Sequence, residues 1–116
     1  MEDFPEFDRG SFDRILLLGV QHHLTDEILD SLLERIAGLL SPTGRLITHD
    51  PVYVIGQNPI ARFLVNRDRG QFVRFQSEYE KLIPESLTIE SCHVKTDMLR
   101  LPYSILFQDI RIKQSL

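Results

Sequence analysis

Phe12-Asp13-Arg14-Ile15-Leu16-Leu17-Leu18-Gly19-Val20 sets four consecutive aliphatic side chains in front of a glycine, and the fold turns on how this stretch is read. An apolar run without alternation, closed by a glycine, fits a strand covered on both faces, as in a parallel sheet. A buried helical segment is the competing reading. The run is short for a helix and Gly19 ends it, so a strand over residues 14–20 is expected. Downstream, Thr25 can cap a helix, with Asp26 and Glu27 where the helix dipole favours negative charge. Ile28, Leu29, Leu32, Leu33, Ile36, Leu39 and Leu40 recur at helical spacing and make one broad apolar stripe. Ser41-Pro42-Thr43-Gly44 then stops the helix, and Arg45 to Asp50 reads as a second strand ended by Pro51. Strand, helix, strand over residues 12–51 is a βαβ unit, which implies parallel strands joined by a right-handed crossover.

Around this unit the chain divides into three further stretches. Residues 1–11 are acidic and turn-rich, with Pro5 and Gly10, and read as a lead-in loop. Residues 52–84 read as helical: Asn58 caps, Pro59 takes the first helical position, Ile60, Phe63 and Leu64 form the buried side, and Gly70 closes the helix. Ser77 and Glu80 have capping-box spacing, which predicts a second short helix to about Ile83, before Pro84. In residues 85–116, Leu87 to Lys95 and Ser104 to Lys113 are β-rich. The short connection from Thr96 to Tyr103 predicts that they pair antiparallel. The expected class is α/β, in one domain.

Composition supports this and narrows the function. The 116 residues allow one domain with a modest core. With 42% hydrophobic and 26% charged residues, the chain has a globular balance, not a disordered one. Thirteen Lys+Arg against 17 Asp+Glu give a net charge of −4, which argues against a nucleic-acid partner, since neutralising phosphates needs a concentrated basic surface. The single cysteine, Cys92, rules out an internal disulfide framework and a Cys-rich zinc module, and fits a reducing compartment. No apolar stretch approaches the ~20 residues of a membrane span, and the acidic N-terminus is unlike a basic secretory signal. A cytoplasmic chain without a membrane partner is expected.

In open α/β sheets, ligands bind beyond the carboxyl ends of the parallel strands. Those ends here carry Gly19-Val20-Gln21-His22-His23 and His49-Asp50-Pro51. FDRILLLGVQHHLTDE, followed by the Leu-rich helix, SPTGRLITHDP and a hairpin-like end, resembles the C-terminal half of a class I S-adenosylmethionine (SAM)-dependent methyltransferase. Within that family it is most similar to small-molecule enzymes with a GVxHHL stretch after the fourth strand. QNPIARFLVNRDRGQFVR, with Glu78-Tyr79 following and RLPYS later, resembles the substrate-side insertion of one subgroup. The resemblance runs from about Phe12 to Lys113. It implies a Rossmann-like half-sheet with strands equivalent to 4-5-7-6, the last two antiparallel. It also implies SAM as cofactor and a small-molecule substrate. Gly19, Val20 and His22 would line the cofactor's methionine side, and His49, Asp50 and Pro51 would lie near the substrate.

The departure from that family is large. A complete fold has strands in the order 3-2-1-4-5-7-6, a glycine-rich loop after strand one that cradles the cofactor, and an acidic residue ending strand two that grips the ribose. The six glycines here (10, 19, 38, 44, 56 and 70) form no GxGxxG-like cluster, and no strand with such a loop precedes Phe12. Glu2-Asp3-Phe4-Pro5 resembles the acidic stretch before strand four. SAM binding by this chain alone is therefore expected to be weak or absent, and catalysis to need an N-terminal half. A strand at 14–20 without its usual neighbour presents unpaired backbone groups beside apolar side chains. The edge is expected to be covered by a second copy, as in a homodimer about a twofold axis, or by an N-terminal partner chain. A non-catalytic assembly or remnant domain using that edge is the alternative.

Individual residues carry paired readings. His22 or His23 serves as substrate-positioning group or proton acceptor, or else one packs against the helix and the other is solvated. Adjacent side chains are expected to diverge, so both should not serve one site. His22, His23, His49 and Asp50 match no recognised metal-ligand spacing, and no metal is expected. Arg62, Arg67, Arg69 and Arg74 either recognise a substrate carboxylate or phosphate, with Arg62 and Arg69 the candidates, or form a solvated helix face offset by Asp68 and Glu78. Cys92 is a small buried hydrophobe, or a thiolate favoured by neighbouring His93.

Overall fold

The computed structural model describes residues 7–53, 72–95 and 104–113. Strand β1 (Phe12–Leu18) leads into a single 3-10 turn (Gln21–His23), helix α1 (Asp26–Leu39) and the long strand β2 (Leu40–Tyr53). Then come the two-residue strand β3 (Arg74–Phe75), the short helix α2 (Gln76–Lys81), β4 (Leu87–Lys95) and β5 (Ile105–Ile112). The sheet order is β1-β2-β5-β4, with β3 attached to β2 off that path. β1 and β2 are parallel, whereas β2 with β5 and β5 with β4 are antiparallel. This is the 4-5-7-6 arrangement, with an antiparallel last pair, that the resemblance implies.

Residues 12–18 are a strand, but only one face of it is covered among the described residues. Leu17 is 9% exposed and packs with Leu29, Leu32, Leu33 and Ile36 of α1 and with Leu46 and Ile110 of the sheet. Leu16 and Leu18, on the opposite face by strand alternation, are each 58% exposed. The expectation of a strand buried on both sides is thus corrected: α1 supplies one cover and no described element supplies the other.

Helix α1 starts where the sequence predicts, the Thr25 hydroxyl oxygen accepting the Ile28 N–H at 3.3 Å. Leu29, Leu32, Leu33, Ile36 and Leu39 are its buried face, each adding about 1.5–3 kcal/mol of burial. Ile28, placed on the stripe by spacing, is 44% exposed and lies outside it. The helix passes straight into β2. Ser41-Pro42-Thr43-Gly44 does not leave the sheet but forms a wide irregularity in the strand: Phe12 faces Leu40, yet Arg14 faces Arg45. Gly44 makes that possible, because a Cβ there would lie 2.9 Å from the Phe12 carbonyl oxygen.

β2 also runs through Pro51, where the sequence predicts a stop. The Val52 N–H donates to the Ser104 carbonyl at 3.1 Å, so the missing proline donor falls on the other edge of β2, beyond the end of β1. With β5 on one edge, β1 and β3 share the other, one after the other, and the Gly19–Leu24 turn lies between them. Helix α2 begins two residues earlier than the Ser77–Glu80 pattern indicates. Its reciprocal cap is Glu78, whose Oε1 accepts the Phe75 N–H at 2.9 Å, and Leu82 and Ile83 follow the helix as a turn. The helix expected over 58–70, with Arg62, Arg67 and Arg69, lies outside the described residues. No described helix is long and apolar enough to cross a membrane.

Candidate functional site

β1 and β2 end side by side. Gly19, at φ +72°, takes a backbone conformation that side chains disfavour, and its N–H donates to the His49 carbonyl at 2.6 Å. The chain then curls into the 3-10 turn, with Gln21 and His22 buried and His23 exposed. Asp50, fully buried on β2, receives this turn. Its Oδ2 accepts Gln21 Nε2 at 2.8 Å; its Oδ1 accepts the His22 backbone N–H at 3.1 Å and faces His22 Nδ1 at 3.0 Å. An ionised carboxylate only accepts, so Nδ1 carries the ring proton and Nε2 carries the lone pair of the neutral ring.

Behind Asp50 the network continues across the sheet. Gln108 Oε1 accepts from Thr48 Oγ1 at 2.9 Å and from Gln21 Nε2 at 3.2 Å. Gln21 Oε1 and Gln108 Nε2, also buried, find no partner among the described residues. Thr48, Asp50 and Gln108 sit on the same sheet face as Leu46 and Ile110. A buried polar band therefore separates the apolar cluster under α1 from a second one made by Val52, Tyr79 and Leu106.

The segment from Phe72 to Tyr79 closes this band. The Phe72 N–H donates to the His22 carbonyl at 3.0 Å. Tyr79 is fully buried; its hydroxyl donates to the Pro51 carbonyl at 2.7 Å and accepts the Arg74 N–H at 3.4 Å. Burial, and next the nearby charge of Asp50, push the phenol well above its ordinary range, so it remains protonated. Arg74, 6% exposed, donates to the Gln21 carbonyl (3.0 Å), the Leu24 carbonyl (2.7 Å) and, through Nε and Nη2, Asp26 Oδ1 (3.1 and 2.8 Å).

Only part of the predicted set converges. His22 and Asp50 meet. His23 is exposed but does not diverge: its ring centroid is 4.2 Å from that of His22, because divergence belongs to extended chain and the residues sit in a tight turn. His49, next to Asp50 in sequence, is on the opposite sheet face, 5.1 Å from the Phe107 ring. That parity is why His22, His23, His49 and Asp50 do not come together. Among the described residues, no group of three or more His, Cys, Asp or Glu side chains gathers as for a metal. Val20 packs on the α1 core, and Pro51 is buried in β2, giving its carbonyl to Tyr79. Arg74 is neither a solvated helix face nor an open anion site, since its guanidinium is engaged by Gln21, Leu24 and Asp26. The Cys92 thiol is pushed up by burial, and further by Glu80, away from the thiolate. Gln21, Thr48 and Gln108 are the site residues to which sequence reasoning gave no role of their own. The available signal was polar residues at the inward positions of strands, Thr48 and Asp50 in LITHD and Gln108 in ILFQDI.

No family model and no curated protein matches the sequence. Solved structures do match the fold. Mitomycin 7-O-methyltransferase MmcR is similar at 24% identity and a TM-score of 0.67, over 87% of this chain and 30% of that one. A SAM-dependent methyltransferase of Leishmania major is similar at 13% identity and a TM-score of 0.67, over 89% and 39%. LepI, solved in complex with SAH and a substrate analogue, is similar at 15% identity and a TM-score of 0.69, over 87% and 26%. The chain has a methyltransferase fold. It spans about a quarter to two fifths of the length of these three structures.

The expected cofactor-side residues do not present a full set of free contacts for SAM among the described residues. Gly19, Val20 and His22 stand at the expected strand end, but the Gly19 and His22 N–H groups are already used by His49 and Asp50. Both Asp50 oxygens are engaged by Gln21 and His22, which leaves this carboxylate unsuited to gripping ribose hydroxyls.

Proposed function

We propose that this chain is the C-terminal, substrate-side part of a cytoplasmic SAM-dependent methyltransferase acting on a small molecule, and that it works joined to a cofactor-binding half docked along β1. The observation that carries this is β1 itself. Among the described residues it pairs only with β2, and it leaves Leu16 and Leu18 open beside an apolar groove of about 340 Å³ lined by Phe12, Leu32, Ile36 and Leu39. A cofactor-binding half that adds a strand along β1 satisfies the backbone edge and closes the groove beside it, and an element of that half laid over the face opposite α1 covers Leu16 and Leu18. SAM, when bound, supplies the methyl group. His22 takes up the proton that the nucleophile releases, with Asp50 holding Nδ1–H and stabilising the imidazolium that forms. His23, whose ring adjoins that of His22, lies on the substrate side.

The same open edge favours a second reading, a non-catalytic module that assembles as a homodimer through β1. Calorimetry with SAM and light scattering on the chain separate the two. The first reading expects little or no heat from the chain alone, association through β1, and SAM binding once a cofactor half is supplied in trans. A defined dimer that never binds SAM favours the second. A monodisperse monomer at micromolar concentration would sink both.

A further inference from the structure

We propose that Arg74 is a positioning residue that sets the orientation and tautomer of His22. This deepens the reading of His22 as the base and rests on it. The peptide joining Gln21 to His22 is held from both ends: its carbonyl accepts Arg74 Nη1 at 3.0 Å, and its N–H donates to Asp50 Oδ1 at 3.1 Å. The rotation of that peptide plane fixes where the His22 ring meets Asp50, and the ring contact uses the same carboxylate oxygen, at 3.0 Å. Nη2 pins the far end of the turn at the Leu24 carbonyl, and the Phe72 N–H, two residues before Arg74, holds the His22 carbonyl between them.

A planar fork that reaches two carbonyls and a carboxylate at once is a job for arginine and not lysine, whose ammonium is a single point of donation. Strengthening the ion pair with Asp26 does not account for the burial. Asp26 is 67% exposed, and pairs open to water contribute little. What Arg74 adds from the interior is control of the turn.

The test is nitrogen NMR of the histidine rings in the chain without cofactor or substrate, at a pH where His22 is neutral. The wild type is expected to hold His22 as the Nδ1–H tautomer. Arg74→Gln is expected to lower the ratio of Nδ1–H to Nε2–H by roughly tenfold, the scale of a lost charged hydrogen bond, with Arg74→Lys in between. Leu32→Ala, a core truncation, is expected to lower stability and leave the ratio unchanged, which a merely structural role for Arg74 would match. A folded Arg74→Gln with the wild-type ratio overturns the proposal. Should Arg74→Gln not fold, Arg74→Lys is read instead: a smaller fall in the ratio supports the proposal and an unchanged ratio overturns it. Failure to detect methyl transfer leaves this readout untouched, so the two readings fail separately.

Discussion

At the carboxyl end of β1 the polar groups of Gln21, His22, Asp50, Thr48 and Gln108 are packed out of water, while along its outer flank Leu16 and Leu18 stand in it. A self-sufficient soluble domain tends to the reverse, with apolar groups inside and polar groups paired at the surface. The corner is closed around its carboxylate: Asp50 accepts three hydrogen bonds and neighbouring segments pack over it. The flank is unfinished: an edge strand with a groove beside it. The contrast teaches that the polar corner does not depend on whatever completes the sheet. The hydrogen bonds of the corner are made within this chain, and what stands open among the described residues is the outer edge of β1.

That comparison can be broken at several points. The largest effect is expected at the corner. Asp50→Ala strips the acceptor from three buried donors and is expected to cost about 3–5 kcal/mol in urea unfolding. A loss under about 1 kcal/mol would mean that the corner is not closed. Next comes β1 itself, where consecutive leucines should behave oppositely. Leu17→Ala is expected to cost about 2–4 kcal/mol, and Leu16→Ala under about 0.5 kcal/mol in the isolated chain. Equal losses would show that the flank is covered, and light scattering on Leu16→Lys would then show by what.

Tyr79→Phe should cost about 1 kcal/mol at neutral pH by removing the bond to Pro51. The folded phenol titrates above its unfolded value, so its stabilisation is full below the unfolded pKa and is lost as pH rises through and beyond it. The variant is therefore expected to have a flatter alkaline limb in a plot of melting temperature against pH. The smallest effect is at the exposed Glu90–Arg111 pair (2.6 Å). Arg111 holds the Glu90 carboxyl below its ordinary value, so any stabilisation is present above the usual carboxylate range and is lost as pH falls through the lowered one. Glu90→Gln should match the wild type in acid and differ from it only slightly at neutral pH, as comparison of the two melting curves will show.

Much of the fold was legible because local patterns and tertiary packing agree. The leucine run ended by Gly19, the Thr25 cap and the spacing of Leu29, Leu32, Leu33 and Ile36 each specify an element, and the short link before Tyr103 makes the last two strands antiparallel neighbours. The errors fell where a neighbour overrides local chemistry. Pro51 does not end β2, because no donor is needed on the edge where it sits. Ser77 does not cap α2, because Glu78 reaches back to Phe75 first. Of the site, His22 and Asp50 could be named from their positions at strand ends. Their partnership could not, nor could the role of Arg74, which reads as one member of a basic cluster.

The sequence by itself determined the order and kind of the elements, since hydrophobic period, caps and turn residues act over a few neighbouring positions. Only the tertiary structure decided which polar residues meet. Whether His49 or Asp50 faces the turn depends on the parity of β2 against its partners, and Arg74 reaches Gln21 only because β3 docks on the edge that β1 leaves. Both are long-range pairings, fixed by packing across the sheet and written in no single stretch of the chain.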